Sequence, residues 1–124
     1  MYIFYNPNPS GSLVGDCVIR GISKLEGKDW EEIYLGVSLK GLMLHDMPSS
    51  NSVWGAYLRS KGYRRCSIPN TCPDCYTVSQ FASDNPYGSF LLATGTHVVA
   101  VVNGDYYDAW DSGRESPVYY WTKE

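Results

Sequence analysis

Asn103-Gly104 separates two stretches that read as strands, His97 to Val102 and Asp105 to Asp111. Asn-Gly is the strongest short-range hairpin signal, because both central residues of the favoured two-residue turn need positive φ. The first arm is strongly apolar, Val98-Val99-Ala100-Val101-Val102. With a two-residue turn, Val102 pairs with Asp105, and counting back sets His97 opposite Trp110. Asp108 then shares the histidine's face, diagonally displaced. Asp111 falls on the other face unless a bulge or a longer turn shifts the register by one. Either carboxylate is suited to accept the imidazole N–H, fixing its tautomer and favouring the imidazolium.

The chain ahead of this hairpin is helical. A short strand, Tyr2 to Tyr5, is stopped by Asn6-Pro7-Asn8-Pro9-Ser10-Gly11, whose prolines forbid helix and ladder pairing. A first helix runs to about Gly27. Asp29 opens a second, with Glu32 completing a capping box and Trp30, Ile33, Tyr34 and Val37 on its apolar face. A third carries Val53, Trp54, Tyr57 and Leu58 and ends at Gly62. Tyr63 to Ile68 reads as an edge strand, Pro69 to Asp74 as a turn, and Thr77 caps a short helix bearing Val78, Phe81 and Ala82. Ser89 to Ala93, the hairpin and Val118 to Trp121 complete the sheet. Helices first and an antiparallel sheet afterwards predict one α+β domain over residues 1–124.

Gly15-Asp16-Cys17-Val18-Ile19 places a cysteine where the first helix begins. Val18, Ile19, Ile22 and Leu25 lie on one helical face, and Asp16 is a natural N-cap. Unpaired backbone N–H groups and the helix dipole favour negative charge there, so the thiol ionises more readily and the same N–H groups can steady an oxyanion. A thiol at a helix start, a histidine at a strand start and an acid on the next strand make a nucleophile–base–orienter set: Cys17, His97, and Asp108 or Asp111. The alternative is a small apolar cysteine in a first turn and a surface histidine beside a Tyr/Asp-rich hairpin.

Cysteine on a helix, then histidine on a strand, then Asn or Asp on the return strand is the chain order of papain-like cysteine peptidases. Gly95-Thr96-His97-Val98-Val99-Ala100-Val101-Val102 resembles that fold's His strand. Trp110-Asp111-Ser112 is similar to its Asn-Ser signature, with Asp replacing Asn. Asp16-Cys17 also resembles the Asp-Cys of NlpC-type cell-wall endopeptidases, whose third polar residue lies mid-strand, as Asp108 does. The size resembles that of NlpC-type enzymes and bacteriocin-leader peptidases. The Gly-Asp-Cys-Val-Ile-Arg start and Asp-x-Trp-Asp-Ser end are similar to small papain-like proteins of phages and gut bacteria. The resemblance implies a cysteine hydrolase acting on a peptide or other amide through a thioester, without metal or organic cofactor. The family's Gln upstream of the cysteine is missing, which leaves Ser12 or Asn8, with the Cys17 N–H, as oxyanion donors.

A net charge of −3 argues against nucleic acid as main partner. No stretch approaches the ~18 apolar residues of a membrane span, and no secretory signal is evident, which points to a cytosolic protein or one released without a signal peptide. Four cysteines in that setting read as reduced thiols, a metal site or a catalytic residue. Cys72-Pro73-Asp74-Cys75, with Cys66 upstream, is half a zinc site or a redox pair out of its usual strand-to-helix context; it reads most simply as thiols in a tight turn. His45 is placed to interact with the carbonyls ending the second helix. Two further readings stand beside the hydrolase: a binding or adaptor protein on the same fold with an aromatic hairpin surface, and a zinc or redox module.

Overall fold

The computed structural model describes residues 1–123. In chain order its elements are β1 (Tyr2–Phe4), α1 (Cys17–Glu26), α2 (Trp30–Leu44), α3 (Asn51–Ser60), β2 (Arg64–Ser67), α4 (Val78–Asp84), β3 (Ser89–Ala93), β4 (Val98–Val102), β5 (Asp105–Asp108) and β6 (Tyr119–Thr122). The architecture is α+β, four helices on a six-stranded sheet of order β1-β5-β4-β3-β6-β2 among the described residues. The sheet is mixed rather than antiparallel as expected. β1 runs parallel to β5, pairing Tyr2 with Tyr106 and Phe4 with Asp108. A hairpin fixes strand direction locally; β1 returns to its partner only after most of the chain has intervened, so no turn constrains it.

β4 is apolar at every position because helices cover both sides of it. Val98 and Ala100 pack with Leu91, Ala93 and Trp121 beneath α1–α3, against Ile22, Ile33, Val37, Trp54 and Leu58. Val99 and Val101 face the other way with Leu92, Val78, Phe81 and Tyr106 under α4. The turn residues Asn103 and Gly104 both take positive φ, 50° and 84°, and Val102 pairs with Asp105. β5, however, ends at Asp108; the expected continuation to Asp111 leaves the ladder.

α1 sits close on the sheet because residue 21 is glycine: a Cβ there would come within 2.6 Å of Leu91 Cδ1. Gly27, at φ 66°, ends the helix in the left-handed region, with Lys28 N–H donating to Ser23 O at 3.1 Å. α2 starts at Asp29 as expected, but no capping box forms; Glu32 points outward to Lys28, 3.5 Å away. Its inner face is Ile33, Val37 and Gly41, while Tyr34 is half exposed. α3 buries Val53, Trp54, Tyr57 and Leu58, and α4 opens with a capping box between Thr77 and Gln80. No helix among the described residues is long and apolar enough to cross a membrane.

Candidate active site

Cys17 is the first residue of α1. The first amide with a helical partner is Arg20 N, which donates to Asp16 O at 2.8 Å. The N–H groups of Cys17, Val18 and Ile19 precede it and have no acceptor within the helix, at the end of α1 that carries the thiol. Asp16 occupies the N-cap position, yet its side chain does not cap. Its carboxylate turns inward instead: Oδ1 takes the Arg20 guanidinium and Oδ2 accepts the Trp30 indole N–H at 2.8 Å. A buried carboxylate is better satisfied by a cation than by one amide, which overrides the capping preference.

His97 lies just ahead of β4, in a turn closed by Thr94. His97 N donates to Thr94 Oγ1 at 3.0 Å, and Thr94 N donates to His97 O at 2.8 Å. The ring is 11% exposed, with Trp110 beside it at 4.8 Å between centroids. Nε2 meets Asp108 Oδ2 at 2.6 Å, and the Cys17 thiol lies close enough to the imidazole for each to shift the other's proton affinity. Asp108 is wholly buried. Besides His97, it accepts from Ser112 Oγ at 2.6 Å, Ala109 N at 2.8 Å and Arg20 Nη2 at 2.9 Å. Every lone pair that points into the protein has a donor, and one donor is a permanent cation.

These contacts set the protonation states. Burial alone would raise the Cys17 thiol; hydrogen bonds from His97 and the Val98 backbone and the nearby His97 and Arg20 charges bring it below its ordinary value. Burial would lower His97, but the Asp108 and Cys17 hydrogen bonds push it up to about 9. Asp108, which burial would raise, is held low by His97, Ser112 and Arg20. All three shifts favour a thiolate–imidazolium pair backed by a carboxylate.

The sulfur opens on a cleft of about 490 Å³ between the α2–α3 layer and the β3–β4 turn, with Trp30, Tyr34, Trp54 and Tyr119 among its walls. Of the sequence-predicted residues, Cys17, His97 and Asp108 come together and Asp111 does not. Asp111 is exposed, accepting from Tyr106 Oη at 2.7 Å and Gly113 N at 3.0 Å, because β5 ends before it and the chain turns away. Asn8 and Ser12 are not oxyanion donors to this cleft. Neither residue lines the cleft; both belong to the preceding turn, where Asn8 Oδ1 accepts from Ser10 N and Ser10 Oγ and Ser12 Oγ accepts from Ser10 Oγ.

The other cysteines form no common site. Cys72 and Cys75 are joined in a disulfide, in place of the expected free thiols, while Cys66 stays on β2 with Arg64 Nη1 2.7 Å from its sulfur. Among the described residues, no three His, Cys, Asp or Glu side chains are grouped to hold a metal ion. His45 ends α2 through its backbone, N–H to Leu42 O at 3.2 Å, rather than through its imidazole. Arg20, Ser112 and Trp30 were not singled out from sequence as site residues. Arg20 carried a signal nonetheless: a charge set between Ile19 and Ile22, four residues after Asp16. Compared with protein-family models, curated proteins and solved structures, the chain matches none.

Proposed function

We propose that the protein is a cysteine hydrolase of peptide or other amide bonds, papain-like in the arrangement of its site. The observation that carries this reading is the contiguity of three side chains from distant parts of the chain: Cys17 and His97 line one cleft, and His97 Nε2 lies 2.6 Å from Asp108 Oδ2. The thiolate attacks the carbonyl carbon, forming a C–S bond and an oxyanion that faces the unpaired N–H groups at the start of α1. His97 gives its proton to the amide nitrogen, the C–N bond breaks, and the amine leaves a thioester on Cys17. Water then attacks the thioester while His97 takes its proton. The C–S bond then breaks, the carboxylic acid departs, and with that proton on His97 the thiolate–imidazolium pair is restored. Asp108 holds the imidazole in place and favours its charged form throughout.

The test is iodoacetamide labelling of Cys17 against pH, followed by mass spectrometry, with Cys66 as internal reference. Activation predicts a labelling midpoint at position 17 well below the ~8.5 of an ordinary thiol, returning toward it in His97→Ala. An ordinary midpoint in the wild-type chain overturns the hydrolase reading in favour of a binding or adaptor protein.

A further inference from the structure

We infer that the aromatic wall of the cleft is a recognition subsite for an uncharged substrate, one carrying an aromatic or branched aliphatic side chain beside the scissile amide. The inference rests on the hydrolase reading and narrows it.

Trp30 and Tyr34, successive residues on one face of α2, stack at 5.1 Å with 25° between their planes. Both line the cleft that holds Cys17, and Trp54 lines it from α3. Tyr34 is 49% exposed, so its ring is open to a ligand. The Trp30 indole is fixed in its pose, because Nε1 donates to Asp16 Oδ2 at 2.8 Å. A rigid pair of rings beside a nucleophile offers large contact area at little entropic cost.

Charge sharpens the choice. The charged side chains lining the cleft are Asp16 and His97, and no lysine or arginine lines it. Asp16 is nearly buried and both its oxygens are taken, by Arg20 and Trp30. His97 is held between Asp108 and Cys17. A substrate carboxylate entering here sheds water and meets no free cation. An ammonium group meets only ring faces, a gain of a few-fold at an exposed site. Covering a large apolar side chain is worth roughly tenfold or more. Ser38, Ser49, Asn51, Thr94 and Thr96 supply the polar part of the lining, all of it neutral, suited to a peptide backbone.

A graded set of alkylating agents tests this on the full chain. Iodoacetamide and its N-phenethyl, N-isobutyl, N-(2-aminoethyl) and N-(2-carboxyethyl) derivatives react at the same carbon. Rates at Cys17, each normalised to free cysteine, therefore report recognition alone. The expected order puts phenethyl and isobutyl about tenfold or more above carboxyethyl, with aminoethyl between. Tyr34→Ala and Trp30→Phe should each shrink the phenethyl preference, Tyr34→Ala by about threefold or more. A flat series, one led by a charged reagent, or a preference that survives both substitutions overturns the subsite. A Cys17 no more reactive than Cys66 toward plain iodoacetamide overturns the hydrolase reading instead.

Discussion

Arg20 Nη2 lies 2.9 Å from Asp108 Oδ1, and the two side chains are only 6% and 0% exposed. The same guanidinium holds Asp16 one turn back along α1, and Asp16 in turn holds Trp30. A continuous line of charge thus runs from the wall of the cleft to the far side of the histidine. Left alone, a carboxylate as buried as Asp108 takes up a proton. Hydrogen bonds from His97 and Ser112 hold it ionised, the Arg20 charge adds to them, and Ala109 N helps fix its plane. The imidazole therefore faces an anion that is already charged and oriented before any substrate arrives, as electrostatic preorganisation requires.

Arg20 and Asp16 carry opposite charges close to one sulfur, so their removal should move the thiol in opposite directions. Arg20→Gln removes a cation that lowers the Cys17 pKa, and the labelling midpoint should rise. Asp16→Asn removes an anion one residue away while keeping an acceptor for Trp30, and the midpoint should fall. General loosening of the fold raises both midpoints toward the ordinary thiol value. Iodoacetamide labelling against pH distinguishes the cases by sign. Two shifts of the same sign would refute the electrostatic account.

The two candidate acids separate cleanly. Asp108→Asn leaves Arg20 with only one of its two buried anions, Asp16, so it should destabilise by less than the ~3–5 kcal/mol of a buried pair that loses its sole partner. It also presents the imidazole with an amide, disturbing its tautomer, so any amide hydrolysis should drop by roughly 10²–10⁴-fold. Asp111→Asn retains an oxygen for Tyr106 and lies outside the cleft. Its melting temperature and Cys17 labelling should match the wild type. Thermal melts and labelling of the two variants side by side check both statements.

The hairpin made this site legible. Asn103-Gly104 fixed Val102 against Asp105, and the parity of a strand then put Asp108 on the face of His97, where the two side chains meet. Asp111 remained open in sequence because nothing local marks where β5 leaves the sheet. The parallel pairing of β1 was invisible for a related reason: its partner is about a hundred residues away and no turn joins them. Side-chain caps at Asp16 and Asp29 were read from local propensity, and a tertiary demand overrode the first, since Arg20 and Trp30 bind Asp16 more strongly than its own helix would. Propensity ranks local choices, but it carries no knowledge of what a buried guanidinium lacks.

Because α1 delivers Cys17 and Arg20 together, its seating on the sheet should matter to both. A Cβ at position 21 would overlap Leu91 Cδ1 at 2.6 Å and make ordinary contact with Val98 Cγ2 at 3.8 Å. Leu91 is fully buried and cannot swing into solvent. Gly21→Ala should gain the helix preference of alanine and still lose about 1–3 kcal/mol to overpacking. Urea denaturation measures the net. Leu91→Ala should recover part of that loss in the double variant, a coupling that a remote effect of either change cannot produce.

His97 should give stability a distinctive dependence on pH. Its pKa rises from 6.5 to about 9 on folding, because the Asp108 and Cys17 hydrogen bonds outweigh the opposing effect of burial. A group raised in this way binds more protons when folded. Its contribution is complete below about pH 6.5 and is lost as pH climbs through about 9. Asp108, held low, contributes in the opposite sense: its stabilisation is present above its unfolded value and lost as pH falls through the folded one. The lowered Cys17 thiol also releases a proton on folding and so offsets part of the His97 slope. Replacing the sulfur unmasks it. Cys17→Ala should lose stability between pH 6 and 9, by less than the ~3 kcal/mol of the full wild-type shift, since the Cys17 hydrogen bond is gone. Stopping at pH 9 keeps the tyrosines raised by burial, Tyr63, Tyr76 and Tyr106, out of the titration. Urea midpoints of Cys17→Ala and of Cys17→Ala with His97→Gln should diverge as pH falls, the single variant gaining and the double staying level. If the two run parallel, His97 and Asp108 are not an ion pair in the folded protein, and the carboxylate orients a neutral ring.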